Sequence, residues 1–202
     1  MVESAAHPGH RSLILAVEFG TLHFQHGGTL DNMIAGGLFG DGLAVAVVGP
    51  ASADRGQLQL LQTMTYSDYN AQGLMGFHLS DTGFQIHLSP KVPKLLRDMI
   101  AEPVTDFLRQ AGLNIADIRF WGIHPGGAKI VEYIGQALEL EPEELRYARQ
   151  ILRQYGNMSS ATIFFVLEAI IKEGQPRPGD YALLLSFGPG LTLELCLVQW
   201  SG

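Results

Sequence analysis

The chain has 202 residues, 47% hydrophobic and 16% charged, a composition typical of a globular protein with a sizeable core. Its net charge of −7 and its lack of long basic runs exclude a nucleic-acid backbone as the natural partner. A single cysteine excludes an internal disulfide, and no apolar run is long enough to span a membrane. The first residues lack a basic start followed by an apolar run, so we do not expect them to act as a secretory leader. We therefore expect a cytoplasmic protein.

The first fifty residues predict two buried strands joined by a glycine-rich stretch. Ser12–Val17 and Ala44–Val48 are short apolar runs of the kind found in buried strands. The residues between them contain too many glycines for a long helix, so we expect only a short helical turn at Asp31–Ile34. We interpret residues 1–50 as the tail of one unit and residues 51–202 as a second, compact domain.

The next segment predicts strands at 57–66 and 84–88, with a polar loop over Ser67–Gly76 between them. Val92–Ala111 then places apolar residues along one stripe of a helix, which Pro103 is expected to kink or divide.

From residue 118 onward, helices and strands alternate without a long linker. The pattern predicts a strand at Ile118–Ile123, a helix over Gly126–Leu138, a helix starting at Pro142, a buried helix over 161–172 capped by Ser159 or Ser160, and a hairpin of Tyr181–Phe187 and Leu191–Trp200. This order indicates an α/β layer architecture.

Two motifs could carry chemistry, Trp-Gly-Ile-His-Pro-Gly-Gly at 121–127 and Tyr-Gly-Asn-Met-Ser-Ser-Ala at 155–161. His124 follows a strand at the sheet edge where open α/β sheets bind ligands. With Asn157 it offers an imidazole and a carboxamide, two donors suited to an oxyanion or enolate. The structural alternatives are a turn histidine with one backbone bond, and an Asn157 that caps a helix or closes an Asx turn.

Other common sites are not indicated. The sequence lacks a nucleophile elbow, a phosphate-binding glycine loop and a zinc-protease motif. Its remaining histidines lack metal-ligand spacing, so we assign no metal site. Cys196 lies in the middle of a predicted strand and is expected to be an inert, packed thiol.

Two further motifs, Phe-Gly-Asp-Gly at 39–42 and Ser-Phe-Gly-Pro-Gly at 186–190, complete an ordered set of four. In this order they resemble the C-terminal half of a type III polyketide synthase, of the chalcone synthase-like branch of the thiolase superfamily. The resemblance implies a thiolase-like layered α/β fold, with a mixed five-stranded sheet and helices, plus the tail of the N-terminal half. Initiating ketoacyl synthases of fatty-acid synthesis are the second choice, since they usually read His-Gln-Ala-Asn where this chain reads His-Pro-Gly-Gly.

The resemblance also implies an activity, the decarboxylative Claisen condensation of malonyl-CoA with an acyl thioester, with no cofactor beyond these CoA substrates. His124 and Asn157 would stabilise the oxyanion and enolate, and Phe39 would gate and desolvate the site. The expected binding residues are Gly126, Gly127 and Ala128 along the pantetheine arm, and Glu18, Met75, Phe77, Ile86, Ser159 and Pro189 around the acyl pocket.

Several departures from the family pattern qualify this expectation. Ile86 stands where a second gating aromatic is common, and Phe77 suggests a narrower pocket with fewer extensions. Ser186 replaces a usual glycine. The family's nucleophilic cysteine lies upstream of the matched region, so we expect the chain to need an N-terminal half in cis or in trans, as part of a homodimer, and to be inactive alone. The alternative is a non-catalytic protein that binds CoA or a partner.

Overall fold

The computed structural model describes residues 9–25, 29–50, 58–81 and 83–201. Its strands are β1 (Ser12–Phe19), β2 (Asp41–Val48), β3 (Leu58–Ser67), β4 (Met75–Ser80), β5 (Gly83–Leu88), β6 (Ile118–Ile123), β7 (Tyr181–Gly188) and β8 (Thr192–Trp200). Its α-helices are α1 (Leu30–Leu38), α2 (Val92–Met99), α3 (Ala101–Gln110), α4 (Ala128–Ala137), α5 (Arg146–Tyr155) and α6 (Thr162–Gly174). Short 3-10 turns cover Gly20–His23, Gln72–Leu74, Ile115–Asp117 and Ser159–Ala161.

A mixed sheet in the order β3-β8-β7-β6 forms the centre of the fold, with β6 and β7 parallel and the other pairs antiparallel. The α/β architecture and the mixed sheet are confirmed. Within the described residues this sheet has four strands, one fewer than expected. The difference arises because β5 pairs with β4 in a separate hairpin. The predicted polar loop over Ser67–Gly76 is correspondingly shorter, since apolar and polar side chains already alternate from Met75 onward.

Helices cover both faces of the sheet and bury two apolar clusters. On one face, α2, α3 and α4 pack residues such as Leu96, Phe107 and Ile134 against the leucines of β7 and β8. On the other face, α5 and α6 pack against Phe120 and Val198. Full burial of each such side chain contributes about 1.5–3 kcal/mol, so these clusters fix the ends of the strands in space.

The N-terminal strands form a two-stranded antiparallel ribbon, β1–β2, which is separate from the main sheet. One face of the ribbon packs inward through Ala16, which is buried. The glycine-rich stretch behind it is more helical than expected, since α1 has nine residues where we predicted a short turn. The side chain of Thr29 accepts a hydrogen bond from the Asn32 backbone (3.3 Å) and caps this helix, which offsets part of the cost of its two glycines.

The later elements agree with the sequence in most places. The long amphipathic segment divides at Ile100, which leaves Pro103 in the first turn of α3 where a missing N–H costs little. Helix α5 begins at Arg146 rather than at Pro142, because Glu141 and Glu144 first close a turn through the Glu144 carboxylate (2.7 Å).

Helix α6 also differs in two details. Its start is tied by the Thr162 hydroxyl, which accepts from the Met158 backbone (2.8 Å), rather than by Ser159 or Ser160. It is buried along one face only, since Ile171 is exposed.

Candidate active site

His124 is fixed by the end of strand β6. Its backbone N–H donates to the carbonyl of Leu185 on the parallel strand β7 (2.8 Å), which continues the ladder by one residue. The side chain is only 7% exposed and meets the ring of Phe187 edge to face, with 5.6 Å between the ring centroids. Burial lowers the pKa of His124 to about 4, so the imidazole is neutral near pH 7.

The imidazole of His124 is buried, but the described part of the fold does not use its nitrogens as hydrogen-bonding groups. Within the described residues its nitrogens make no hydrogen bond. In that part of the chain, Nε1 of Trp121 is the side-chain nitrogen that is both fully enclosed and without a partner. Since the nitrogens of His124 also have no partner but do not belong to this class, both of them are accessible. A neutral imidazole in this position can donate one hydrogen bond to a ligand.

Asn157 is 5% exposed and divides its two functional groups between the fold and the site. Its Oδ1 accepts from the Ser159 backbone (2.9 Å), so the predicted Asx turn is present. The amide nitrogen has no partner among the described residues and is not fully enclosed. The structural role therefore uses the carbonyl and leaves the NH₂ group available as a donor.

The Phe39 segment is joined directly to the Asn157 segment. The backbone N–H of Asn157 donates to Leu38 (2.8 Å), and that of Gly40 donates to Asn157 (3.0 Å), which makes a parallel bridge between Phe39 and Asn157. Gly156 has a φ of +74°, and a Cβ there would lie 2.8 Å from the Leu38 carbonyl. The two segments are far apart in sequence, so the motifs alone do not predict this contact. The bridge places the expected gate residue, Phe39, beside the expected donor, Asn157.

A cavity of about 380 Å³ opens beside this bridge. Of the predicted site residues, it is lined by Glu18, Phe39, Phe77, Ile86 and Ser159. The other predicted site residues do not line this cavity: His124, Asn157, Gly126, Gly127, Ala128, Met75 and Pro189. The structure thus brings the expected gate and most of the expected acyl-pocket residues into one cavity, and the bridge places Asn157 on the segment next to Phe39.

The remaining predicted residues have other surroundings. Met75 accepts a backbone hydrogen bond from Gly190 (3.3 Å), which places it next to the turn that contains Pro189. Gly127 precedes α4 with open space at its Cβ position, and Ala128 is the first residue of that helix. A Cβ at Gly126 would lie 2.8 Å from the Phe187 ring, so this glycine has a packing role within the fold.

The turn at Gly20–His23 forms a cavity wall that the sequence did not indicate. Asp41 holds it, since its carboxylate accepts from the backbone N–H (2.8 Å) and the hydroxyl (2.7 Å) of Thr21. These bonds lower the pKa of Asp41. The aspartate of the Phe-Gly-Asp-Gly motif was the available signal, but its partner lies twenty residues away.

A second link missed by the sequence connects β1 to the Asn157 turn. The carboxylate of Glu18 accepts from the backbone (3.3 Å) and from the hydroxyl of Ser160. The same turn holds Ser159 in a left-handed conformation with a φ of +52°, which is strained for a residue with a side chain. Glu18 thus lines the cavity and also ties down the turn that follows Asn157.

Comparison with known families decides the relationship. The family model for the C-terminal domain of chalcone and stilbene synthases matches residues 60–200. The chain belongs to the chalcone and stilbene synthase family. Within the residues that the structure describes, no helix of this family member is long and apolar enough to cross a membrane.

Curated relatives of the chain are named as synthases of small aromatic products. The chain is 34% identical to the 1,3,6,8-tetrahydroxynaphthalene synthase of Streptomyces peucetius subsp. caesius over 197 residues, which are 96% of this chain and 52% of that relative. It is 34% identical to the 3,5-dihydroxyphenylacetyl-CoA synthase of Amycolatopsis balhimycina over 200 residues, 98% of this chain and 54% of that protein. The chain spans about half the length of the curated relatives that it matches.

Solved structures of type III polyketide synthases have the same fold. The 1,3,6,8-tetrahydroxynaphthalene synthase of Streptomyces coelicolor A3(2) aligns with a TM-score of 0.93 at 30% identity, over 100% of this chain and 57% of that one. The C-terminal type III polyketide synthase domain of Steely1 from Dictyostelium gives 0.91 at 27% identity, over 100% and 57%. The expected resemblance and fold are therefore confirmed.

Proposed function

We propose that this chain is the half of a type III polyketide synthase that stabilises the enolate during decarboxylative condensation of malonyl-CoA with an acyl thioester. The observation that carries the proposal is the state of two side chains. His124 and Asn157 are both more than nine-tenths buried, and each keeps an accessible nitrogen donor that has no partner in the described residues. Buried donors that the fold does not use are suited to a charge that develops only during reaction.

The donors would act on the carbonyl oxygen of the malonyl thioester. Loss of carbon dioxide moves negative charge onto that oxygen, and the N–H of His124 and the NH₂ of Asn157 would each donate a hydrogen bond to it. One such donor is worth about 2.7–4 kcal/mol of transition-state stabilisation in comparable sites. Phe39, which the backbone bridge holds beside Asn157, would keep water from the carboxylate that leaves.

The nucleophile would come from outside this chain. Its single cysteine, Cys196, lies in the middle of β8, where burial raises the pKa of the thiol to about 11. That thiol stays protonated near pH 7 and is a poor nucleophile. We therefore assign the acyl-carrying cysteine to a polypeptide segment equivalent to the other half of the relatives, supplied in cis or in trans, and we expect no polyketide from the isolated chain.

The substrate path follows from the same assignment. The acyl group would occupy the cavity lined by Phe39, Phe77 and Ile86, and the pantetheine arm would pass Gly127 and Ala128, where the Cβ position of Gly127 is open. Phe77 and Ile86 are cross-strand partners on β4 and β5, so they narrow the cavity together and favour few extensions. We place the boundary between the two units of the chain near residue 50, and the complete enzyme would be a homodimer.

The deciding experiment restores the missing half. We would sequence the DNA upstream of the Met1 codon, co-express any cysteine-bearing segment found there, and supply acyl-CoA with labelled malonyl-CoA. The proposal expects polyketide from the pair, and at least a hundredfold less when His124 is changed to Gln. Product from the isolated chain would overturn the assignment of the nucleophile. A stable pair that makes no product, or the absence of such a segment, would favour the non-catalytic alternative.

A further inference from the structure

The ring of Phe187 contacts the imidazole of His124 and also lies close to Gly126. Its contact with His124 is edge to face, with 5.6 Å between ring centroids and 70° between ring planes. Two ring carbons of Phe187 also lie 2.8 and 2.9 Å from the position that a Cβ at Gly126 would occupy. The same ring therefore contacts the histidine and occupies the space that a side chain at Gly126 would need.

Gly126 is explained by this ring and by no special backbone conformation. It is not among the glycines whose φ lies in the left-handed region, so φ does not require glycine at this position. An added methyl group would instead collide with Phe187 and would also approach Ile130 Cδ1 at 3.3 Å. Phe187 belongs to β7 within the buried cluster against α2, α3 and α4, so it cannot move away without disturbing that cluster.

We propose that Phe187 is a positioning residue for His124, which fixes the imidazole in one orientation and keeps water from it, and that Gly126 provides the room that Phe187 needs. The role of the histidine in catalysis rests on the proposed function, but the contact and its effect on the imidazole do not. Because the imidazole makes no hydrogen bond within the described residues, its orientation depends on packing, and Phe187 is its aromatic contact there.

No charge explains the state of the imidazole. Burial is the cause of the low pKa of His124, and among the described residues no charged side chain contributes to it. The Leu185 carbonyl of β7 accepts from the backbone N–H of His124, and the contact on the imidazole itself is the apolar ring of Phe187. A smaller side chain at 187 should therefore admit water and make the charged imidazolium less unfavourable.

The test follows the imidazole C–H resonance of His124 by NMR during a pH titration of the full chain, with the signal assigned from the His124→Gln variant. In the parent chain, a nuclear Overhauser effect between this imidazole and the Phe187 ring is expected, and its absence would overturn the contact without any further variant. Phe187→Leu should raise the titration midpoint by about one pH unit or more.

The chain contains a matched control for each substitution. Phe120 is also buried, and its ring packs edge to face on the ring of Trp200. A Cβ added at Gly174 would lie 2.7 Å from a ring carbon of Phe120, just as one at Gly126 would crowd Phe187. Phe120→Leu and Gly174→Ala should lower stability and leave the His124 midpoint unchanged, whereas Phe187→Leu and Gly126→Ala should move it.

The proposal is overturned if the His124 titration midpoint in Phe187→Leu and Gly126→Ala is the same as in the parent chain. It is also overturned if the control variants move this midpoint as far as the test variants do, because that result would indicate general loosening of the core. If Phe187→Leu does not fold, Phe187→Met, which is closer in volume, replaces it in the same titration. None of these readouts requires substrate or turnover. A failure here is therefore distinct from a failure to make polyketide.

Discussion

At the scale of single residues, burial decides which chemistry His124 can perform. A pKa of about 4 keeps it neutral near pH 7, so in this chain it is a hydrogen-bond donor rather than a cation. A cysteine thiolate placed beside it would favour the charged form and raise that pKa. The imidazole would therefore change its state when the proposed cysteine-bearing half is added, because the opposite charge arrives with that half.

The low pKa of His124 also makes stability depend on pH. Because the folded pKa is lower than the ordinary value of 6.5, the unfolded chain binds more protons between about pH 6.5 and pH 4. The stability of the fold with a neutral His124 is therefore fully present above pH 6.5, and it is lost as the pH falls toward 4. We expect a decrease of about 3 kcal/mol in the free energy of unfolding over this window, measured by urea denaturation.

Two histidine variants control this measurement. His124→Gln should lack this part of the decrease, because no buried imidazole remains to be protonated. Exposed His78→Gln should retain it. If His124→Gln has the same pH dependence as the parent chain, burial of His124 is not the cause.

The two ends of the Asn157 carboxamide have different roles, one structural and one proposed to be chemical. Its Oδ1 closes the turn with Ser159, while its NH₂ group is the proposed donor. Asn157→Asp keeps an oxygen that can accept from Ser159 but replaces the donor with an acceptor and adds negative charge. In the restored enzyme we expect turnover to fall by about 10³ or more, since the enolate loses a donor and meets a like charge.

The Asn157→Asp experiment has a structural readout as well as a kinetic one. The Ser159 backbone amide resonance should stay near its parent position in Asn157→Asp and move in Asn157→Ala. Near-parent turnover in Asn157→Asp would show that the amide donor is not used.

At the scale of elements, the site depends on a bridge between segments that are far apart in sequence. Residues 38–40 include the last residue of helix α1 and the two that follow it, and residues 156–157 follow helix α5, yet their backbones pair through two hydrogen bonds. Close approach requires glycine on both sides, since a Cβ at Gly40 would lie 2.8 Å from the Tyr155 carbonyl. The helices thus hold the gate and the donor in register.

Gly156→Ala tests this bridge directly. The substitution forces a positive φ on a residue with a side chain and places its methyl group against the Leu38 carbonyl, so we expect a loss of about 2–4 kcal/mol in unfolding free energy. Gly37→Ala is the matched control, because Gly37 lies within α1 with open space around it and should gain about 0.5–1 kcal/mol. Similar urea midpoints for the two variants would contradict the close approach.

The sequence predicts elements well where the decisive interactions are local. Strand β6 has the expected bounds, because an apolar run that only Arg119 interrupts ends before the Pro-Gly-Gly segment. Helix α1 was underestimated because one threonine cap and its packing outweigh two glycines. The proposed donors His124 and Asn157 were predicted from motifs, whereas the cavity wall that contains Thr21 was missed. Its partner Asp41 is distant in sequence, and no local pattern reports such a contact.

At the scale of the whole molecule, the β1–β2 ribbon has an outer face that a self-contained protein would cover. Side chains alternate along the paired strands, so one face collects apolar residues that are 43–65% exposed: Leu13, Leu15, Val17, Leu43, Val45 and Val47. The opposite face packs inward through Ala16. A contiguous apolar surface of this kind marks an interaction site. It lies on the segment nearest to where the proposed cysteine-bearing half would join.

The double variant Leu15→Ser, Val45→Ser tests whether this outer face receives that half. The two residues are cross-strand partners, 62% and 53% exposed, so their loss should change the unfolding free energy of the isolated chain by only about 0.5 kcal/mol per site. Binding of the cysteine-bearing half, measured by titration calorimetry, should weaken at least tenfold because the buried apolar area is lost. Ile171→Ser on helix α6, which is also exposed at 46%, should leave the affinity unchanged. If the ribbon variant binds as tightly as the parent chain, the two halves meet elsewhere, and the apolar face needs a different partner.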